Sequence, residues 1–440
     1  MTESFASLKI IIIVDGWTHN LFHECLSSSL LPEIQHEFID HGILFSRVVS
    51  SFPSVSLSSH ASILTGMNQN GHGIPGHRWM QLSHGISRNY IGASVRYLNN
   101  DIYSKSKTIF EFYNNKDTYS IQCLVNKGAK RKIRILTTNS ERLLRITSDI
   151  ACKNPDSLIV AWLPKGDGIS HLYGPQSKEM QKEMIRTSRG LGEFAKKLRI
   201  AGLFKKSKIL ITSDHGQKEV KYHWNLAIPF RMMGYKVKVN SGKIKDCDVN
   251  IFTNGDSSAF IYFNNELFSK DHKYIILKNL ANYKEVGLIF YRYDDFTHYI
   301  FSRSGISRIT CNSEDINYCI RYEIQDGSDP LKILNNQRRY LIIDNLREKS
   351  IEGYYPDILH QYITSYVPGR SPDTIVTSSD KYHFGLAPRL GWRLGYHRGS
   401  HGGPSQEEMI FNSIIVNGSE SKVCKELVRS KDLLHIFQEN

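Results

Sequence analysis

Cysteine and long hydrophobic runs are both scarce in this chain of 440 residues. The seven cysteines are scattered and odd in number, and no pair has CxxC spacing, which excludes a disulfide framework and a cysteine-rich zinc site. We expect free thiols in a reducing compartment. No stretch has the length and apolarity of a transmembrane helix, so no membrane association is predicted. The first residues lack the basic start and the cleavage site of a signal peptide. This favours a cytoplasmic protein and leaves export without a visible signal as the alternative.

The charge is unbalanced, with 56 Lys and Arg against 43 Asp and Glu and a formal net charge of +13. A basic surplus favours an anionic partner, here a phosphorylated small molecule such as a nucleotide. Nucleic acid is the less favoured partner because the sequence has no DNA- or RNA-binding motif of recognisable spacing. The composition indicates a globular chain long enough for a large core, and it predicts no particular oligomeric state.

Strand-like, loop-like and helix-like segments alternate through residues 8–220. The continuous apolar runs Leu8–Val14 and Ser157–Leu163 are typical of central strands that are covered on both faces. The pattern predicts an α/β fold with a doubly wound, mostly parallel central sheet.

Residues 221–370 contain short β-like runs of mixed character instead. We interpret them as a smaller α+β inserted or cap region, so that residues 1–220 and 371–440 form the core. Asp373–Val376 and Met409–Val416 are then predicted as late strands of the central sheet, and Ser421–Gln438 as a terminal helix.

The segment Phe52–Gly66, FPSVSLSSHASILTG, is crowded with hydroxyl groups. It follows a strand-like run, and its second half predicts the first turns of a helix that ends at Gly66. A hydroxyl at a helix start lies beside free backbone N–H groups and the positive end of the helix dipole, where phosphate binds well. A cluster of capping residues is the simpler alternative, and this segment alone does not decide between the two.

Acidic residues follow three of the predicted central strands, namely Asp15, Asp167 and Asp214. The carboxyl ends of parallel strands meet at one edge of a sheet, so these side chains are expected to converge. Four histidines near these motifs are further candidate metal ligands, and the spacing of four between Asp167 and His171 places both on one helix face. They are His171, four residues after Asp167; His215, directly after Asp214; and His397 and His401 in the glycine-rich loop Gly395–Gly403.

Five motifs in this order resemble the alkaline phosphatase superfamily, and most closely its nucleotide pyrophosphatase/phosphodiesterase (type I phosphodiesterase) branch. They are Asp15-Gly16, PSVSLSSHASILTG, DGISHLYGP, SDHG and GSHGG. The resemblance runs from residue 8 to residue 416 and weakens between 220 and 370. It implies an alkaline phosphatase-like fold and a zinc-dependent hydrolase of phosphodiester or nucleotide pyrophosphate bonds with a covalent phospho-serine intermediate.

The resemblance also implies roles for single residues. Ser56 is the nucleophile, with Ser54 as the nearest alternative. Ser59 stands where phosphodiesterases of this branch carry an asparagine that holds a phosphoryl oxygen, and it is expected to contact the substrate, as are Tyr173 and His397. Two Zn²⁺ ions, or other divalent ions, are implied. One would be held by Asp167, His171 and His401, and the other by Asp15, Asp214, His215 and the Ser56 oxygen.

The missing asparagine keeps two other enzymes open as alternatives, a phosphomonoesterase and a phosphonate (carbon–phosphorus) hydrolase. A basic protein that binds phosphate or nucleotide without catalysis is the alternative outside enzymes. His72, in the HGI motif, is interpreted as structural.

Overall fold

A computed structural model describes residues 8–91, 93–311, 319–334, 340–341, 353–385, 397–416 and 421–439. Gly395 and Tyr396, which begin the predicted glycine-rich loop, lie outside the described residues, as does the side chain of Cys319. The other six cysteines are free thiols.

The described chain consists of β-strands and α-helices with the following bounds. Strands β1 to β8 are Leu8–Val14, Gly42–Val49, Arg78–Gln81, Ile86–Asn89, Asp117–Ile121, Arg131–Ile133, Ser157–Leu163 and Ser207–Thr212. Strands β9 to β16 are Lys218–His223, Val237–Val239, Val249–Asn254, Ser258–Phe263, Val286–Arg292, Thr297–Ser302, Gly305–Cys311 and Cys319–Gly327. Strands β17 to β23 are Tyr340–Leu341, Thr374–Ser378, Lys381–His383, Gly399–Ser400, Ile410–Val416, Lys422–Cys424 and Val428–Arg429. Helices α1 to α7 are His19–Ser27, Pro32–Ile34, Ser56–Thr65, Gln69–His72, Leu98–Asp101, Ile109–Phe112 and Ser140–Lys153. Helices α8 to α14 are Lys165–Tyr173, Lys178–Ile200, Ala227–Met232, Lys270–Leu280, Ile358–Thr364, Gln406–Met409 and Asp432–Glu439.

The central sheet has nine strands in the order β22-β2-β21-β8-β1-β7-β5-β6, and β23 also pairs with β2. Among the described strands of this sheet, β21 alone runs antiparallel to its neighbours. The mostly parallel α/β sheet predicted from the sequence is therefore confirmed. The strand predicted over Met409–Val416 lies in this sheet as β21, Ile410–Val416, while Met409 ends helix α13.

Strand β1 is apolar except for the half-buried Lys9 near its start. Ile10 and Ile12 pack into one core layer with helices α1, α7 and α9. Ile11 and Ile13 pack into the layer on the opposite side, which also contains Phe260 of the second large sheet. The run Ile10–Val14 is continuously apolar because this part of the strand is buried on both faces.

The second sheet also has nine strands, in the order β10-β11-β12-β18-β13-β14-β15-β16-β17. One face of this second sheet packs against the central sheet in a shared core layer. Helices α10 and α11 pack against the opposite face of the second sheet. The prediction that Asp373–Val376 belongs to the central sheet is wrong, because Thr374–Ser378 lies between β12 and β13. A short β-branched run has the same pattern in either sheet, and its partners here are distant in sequence. The second sheet thus extends beyond residue 370.

The predicted helix over Ser421–Gln438 is wrong in its first half. Strands β22 and β23 occupy residues 422–429, and helix α14 begins only at Asp432. Both short strands pair in parallel with β2. They cover the backbone edge of β2, which would otherwise be unpaired at the rim of the sheet.

A small three-stranded sheet, β19-β9-β20, connects the two large ones. Strand β9 follows the loop after β8, whereas β19 follows β18 of the second sheet. Strand β20 leads into His401. This small sheet brings segments that are far apart in sequence to the carboxyl end of the central sheet.

Candidate metal centre

Three aspartates meet at the carboxyl ends of neighbouring central strands. Asp15 follows β1, Asp167 lies in the first turn of α8 after β7, and Asp214 follows β8. The approach is close at Gly16, where a Cβ atom would lie 2.9 Å from the Cα atom of Asp167 and where φ is +71°. Glycine is required there because a side chain would separate the first two loops.

The first ligand set consists of Asp167, His171 and His401. Nε2 of His171 lies 3.3 Å from Oδ1 of Asp167, and Nε2 of His401 lies 3.6 Å from the same oxygen. Ligand atoms arranged tetrahedrally at about 2.0–2.2 Å from a zinc ion lie roughly 3.3–3.6 Å apart. The spacing of this set therefore fits one ion.

The second ligand set consists of Asp15, Asp214 and His215. Nε2 of His215 lies 3.5 Å from Oδ1 of Asp15 and 3.5 Å from Oδ2 of Asp214. Both of these carboxylate oxygens are buried and accept no hydrogen bond from any residue that the structure describes. Buried charged oxygens without a partner are costly, and a bound cation removes that cost. This set also fits one ion.

The three ligand histidines share one orientation. Nδ1 of His171 donates to the backbone oxygen of Gly399 (2.8 Å), Nδ1 of His215 to that of Gly216 (3.0 Å), and Nδ1 of His401 to that of Ser54 (2.9 Å). A carbonyl oxygen can only accept, so Nδ1 carries a proton in each ring, and Nε2 faces the carboxylates and offers its lone pair when the imidazole is neutral. Histidines that bind metals are commonly oriented in this way.

The carboxylates perturb one another strongly. Burial raises the pKa of Asp15 well above its ordinary value, and the charges of Asp214 and Asp167 raise it further. Burial also acts to raise the pKa of Asp214, but the neighbouring His215 and His60 bring it below its ordinary value. A bound cation would relieve this repulsion, which protonation of Asp15 relieves when no cation is bound.

Nearby charges shift the ligand histidines in opposite directions. Burial lowers the pKa of His171, but Asp167 outweighs that effect and raises it to about 9. Burial and the charge of His215 lower the pKa of His401 to about 3. The rings of His215 and His401 are stacked with centroids 3.9 Å apart, which joins the two ligand sets.

Ser56 is the first residue of helix α3. Its Oγ atom lies 3.1 Å from Nε2 of His215, so the hydroxyl faces the second ligand set. The hydroxyl of Ser54, the alternative nucleophile, donates to the backbone oxygen of Gly403 (2.8 Å) and accepts from the N–H of Gly402 (3.0 Å). Those two bonds tie the Ser54 side chain to the loop after His401.

Ser59 is fully buried in the same helix. Its Oγ atom lies 2.8 Å from Oγ of Ser50 and 3.1 Å from Oγ of Ser51. Ser50 in turn donates to the backbone oxygen of Asp214 (2.7 Å). These contacts give Ser59 a supporting position behind the Asp214 loop, and the substrate contact predicted for it stays a prediction.

Tyr173 and His397, the other predicted substrate contacts, line one cleft of about 430 Å³. Lys221 and Arg398 also line it, together with Glu219, whose Oε2 atom lies 3.9 Å from Nζ of Lys221. The ring of His397 lies 4.7 Å from that of His171, so the cleft adjoins the first ligand set.

Three supporting residues were not predicted from the sequence. Trp162 donates its indole N–H to Oδ2 of Asp15 (2.9 Å), and Gln217 donates to Oδ1 of Asp167 (2.5 Å). His60 lies with Nε2 3.2 Å from Oδ2 of Asp214, without hydrogen-bond alignment. His60 had a detectable signal, since it stands four residues after Ser56 and so on the same helix face.

His72 has the structural role predicted for it. Its Nδ1 atom accepts from the backbone N–H of Ile74 (3.1 Å), so its Nε2–H donates to Oγ of Ser62 in helix α3 (3.1 Å). Burial and the charge of Arg370 lower the pKa of His72 to about 3. A neutral His72 thus braces the helix that begins at Ser56.

Comparison with known proteins identifies the family of this chain. The sequence model described as type I phosphodiesterase/nucleotide pyrophosphatase matches residues 9–404. The chain belongs to this family. Type I phosphodiesterases and nucleotide pyrophosphatases are metal-dependent hydrolases, and the two ligand sets and Ser56 all lie within the matched residues.

Relatives within the type I phosphodiesterase family are distant. Bis(5'-adenosyl)-triphosphatase enpp4 of Mus musculus is 24% identical over 233 residues, which are 50% of this chain and 49% of that protein. An uncharacterized pyrophosphatase/phosphodiesterase of Schizosaccharomyces pombe is 23% identical over 232 residues, 49% of this chain and 46% of that protein. The chain therefore spans about half the length of the curated relatives it matches.

Solved structures of the same family share the fold over nearly the whole chain. Murine ectonucleotide pyrophosphatase/phosphodiesterase 5, in an inactive form in complex with AMP, matches with a TM-score of 0.63 and 13% identity, over 98% of this chain and 93% of that one. The human protein of that name matches with a TM-score of 0.63 and 12% identity, over 98% and 95%. The predicted alkaline phosphatase-like α/β fold is thereby confirmed. Among the described residues, no helix has the length and apolarity needed to cross a membrane.

Proposed function

We propose that the chain hydrolyses phosphodiester or pyrophosphate bonds of nucleotides, with Ser56 as nucleophile and two divalent ions, zinc by preference, in the two ligand sets. The observation that carries this proposal is the 3.1 Å contact between the Ser56 hydroxyl and Nε2 of His215. It supports an attacking oxygen next to one ion site, with the other site available for the leaving group.

The donor set supports zinc. Each set combines imidazole nitrogen with carboxylate oxygen, which zinc accepts readily, whereas calcium and magnesium prefer oxygen alone. When bound, a pair of such ions lowers the pKa of a hydroxyl and neutralises charge on the attacking and leaving oxygens.

Ser56 would carry the covalent chemistry. Its Oγ atom forms a bond to phosphorus while the bond from phosphorus to the leaving oxygen breaks, and the serine proton is released. A water molecule then cleaves the bond between Oγ and phosphorus, which restores the hydroxyl and frees the product. The N-terminus of α3, with its positive partial charge, favours the anionic phosphoryl group at Ser56.

A nucleotide substrate is supported by charge and by similarity. The cleft that contains Tyr173 and His397 is lined by two cations, Lys221 and Arg398, and by one carboxylate, Glu219. Lys221 lies 3.9 Å from Glu219, so Arg398 is the lining cation that best suits a phosphate group. The relative in mouse is named for the hydrolysis of bis(5'-adenosyl) triphosphate, and the related structure holds AMP. We extend that substrate class to this chain.

Replacement of the nucleophile tests the proposal. Ser56→Ala should lower turnover of bis(4-nitrophenyl) phosphate by at least about a thousandfold, because removal of a nucleophile abolishes the covalent route. Zinc content and thermal unfolding should stay close to those of the unchanged chain. Ser58→Ala is the matched control, since Ser58 lies in the same helical turn and its hydroxyl donates only to the backbone oxygens of Pro53 and Val55.

Full turnover by Ser56→Ala would overturn the assignment of the nucleophile. Comparison with 4-nitrophenyl phosphate and a phosphonate substrate addresses the alternative enzymes. Ser59 favours these alternatives, because it stands where an asparagine is expected and is engaged by Ser50 and Ser51. A faster reaction with the monoester or the phosphonate would replace the diesterase in this proposal. Absence of turnover together with less than one bound zinc per chain would favour a binding protein.

A further inference from the structure

A third group of metal-ligating side chains lies outside both ligand sets. Asp256, His383 and His397 each offer one ligand atom, and these atoms all lie within 4.8 Å of one another. Nδ1 of His397 is 3.8 Å from Oδ2 of Asp256. Two imidazoles and one carboxylate form the same donor combination as Asp167, His171 and His401.

Backbone pairing holds these residues in place. His383 ends β19, whose register pairs it with His223 of β9. The backbone oxygen of Asp256 accepts from the N–H of Phe384 (2.7 Å), and Asp256 also forms an isolated bridge with His401. Backbone pairing thus fixes two of the three members, Asp256 and His383, which gives the cluster part of the rigidity that a metal site needs.

The two histidines have nitrogen atoms that lack partners. Nδ1 of His383 and Nδ1 of His397 are both buried, and neither makes a hydrogen bond to a described residue. The other ring nitrogen of His383, Nε2, is hydrogen-bonded to Nδ1 of His223. If Nε2 carries the proton in that bond, the lone pair of His383 Nδ1 is free to bind an ion, which is the arrangement of an oriented metal ligand.

Asp256 is similarly available. Besides the neighbouring histidines, the charge of Arg78 acts on this carboxylate. The Nη1 atom of Arg78, however, donates to the backbone oxygen and the hydroxyl of Thr253, both at 2.8 Å. No ion pair joins Arg78 to Asp256 in the part of the chain that the structure describes.

The cluster adjoins the substrate cleft. The ring centroid of His397 lies 4.7 Å from that of His171 and 5.7 Å from that of His383. His397 and His223 both line the cleft of about 430 Å³ that also contains Tyr173. An ion bound here would lie beside the first ligand set and would face the cleft.

We propose that Asp256, His383 and His397 form a third site for a transition-metal ion such as Zn²⁺, oriented by His223. Nitrogen and oxygen donors in this ratio favour zinc over calcium or magnesium. Three protein ligands leave a fourth position of a tetrahedral ion open, and that position faces the cleft. The role of this ion rests on the proposed function: it would bind an oxygen of a second phosphate group of the substrate, beyond the one attacked by Ser56.

Metal counting tests this proposal. The untagged chain is dialysed against buffered Zn²⁺, and bound zinc per chain is measured by mass spectrometry. We expect three ions for the unchanged chain and two for His383→Ala. His84→Ala is the matched control and should keep three, because His84 is an exposed histidine distant in sequence from the cluster. Asp256→Asn, which preserves side-chain size, should also bind two and keeps the test valid if His383→Ala fails to fold.

Two ions in the unchanged chain, or three in both His383→Ala and Asp256→Asn, would overturn the third site. Two ions together with hydrolysis of bis(4-nitrophenyl) phosphate would leave the proposed function standing without it. Fewer than two ions and no hydrolysis would overturn both.

Discussion

The Oγ atom of Ser56 lies 3.1 Å from Nε2 of His215, although 159 residues separate the two in sequence. Ser56 begins helix α3 after β2, and His215 follows β8. Strand β21 lies between β2 and β8 in the sheet, so the two loops converge above a strand that is contributed by the end of the chain. The position of the hydroxyl therefore depends on the assembly of the whole central sheet.

Metal removal should destabilise the protein. Asp15, Asp167 and Asp214 repel one another in a buried space when no cation is present. Zinc at about 100 times its dissociation constant should raise the free energy of unfolding by about 2.7 kcal/mol for each occupied site, relative to protein in chelator. The unfolding temperature is measured in chelator and in zinc. The difference between the two buffers should be smaller for Asp214→Asn than for the unchanged chain. Identical unfolding in both buffers would contradict the expectation.

Loss of the Trp162 indole N–H should weaken zinc binding. Trp162 orients Asp15 by donating to its Oδ2 atom, and loss of such a bond to a metal ligand typically costs 10–100-fold in affinity. Trp162→Phe is compared with Trp17→Phe, because the indole N–H of Trp17 is buried and donates to no described residue. Competition with a chromophoric chelator measures both affinities. An equal loss in the two variants would mean that packing, rather than the hydrogen bond, is responsible.

Ser59→Ala should affect stability more than substrate binding. The variant leaves Ser50 and Ser51 without one buried hydrogen-bond partner, at a cost of about 1–3 kcal/mol. Chemical denaturation measures the free energy of unfolding, and steady-state kinetics measures KM for bis(4-nitrophenyl) phosphate. We expect KM to change by less than about threefold, since Ser59 is fully buried. A tenfold higher KM with unchanged stability would instead support direct contact with substrate.

Acid should destabilise the fold partly through His72. Its pKa is about 3 in the folded chain, below the ordinary value of 6.5, so the unfolded chain binds one more proton between these values. Stability from this group is complete above pH 6.5 and falls by about 1.4 kcal/mol per pH unit as the pH drops toward 3. His72→Asn retains an acceptor for the N–H of Ile74 and should reduce that slope between pH 4 and pH 6. If the free energy of unfolding falls with the same slope in both proteins between pH 4 and pH 6, His72 is already protonated in the folded state and the expectation is wrong.

The central sheet and its acidic strand ends could be predicted because they follow from local patterns. Leu8–Val14 and Ser157–Leu163 are strands with the predicted bounds, since burial on both faces requires continuous apolar runs. Asp15 and Asp214 were recognisable because a charged residue directly after such a run lies at the sheet edge. Their convergence follows from parallel pairing alone.

The remaining features depend on pairings that a sequence does not display. Trp162 reaches Asp15 because the register of β1 and β7 places Ile13 opposite Trp162. Thr374–Ser378 belongs to the second sheet because it pairs with β12 and β13. The sequence of this strand does not show which sheet it joins. Likewise, nothing in the neighbourhood of Asp256 marks it as a partner of His383, since the two meet only through the small sheet.

His401 and β21 follow the other metal-site residues in the sequence, and this order has a consequence for biosynthesis. While a ribosome has made only the first 396 residues, the first ligand set has two members, Asp167 and His171, and β2 has no strand to join it to β8. Closure of the sheet and completion of the first ligand set therefore both wait until residues 401–416 have been made. We expect a chain that is terminated before His401 to lack activity, because it has neither the third member of that set nor the strand that joins β2 to β8.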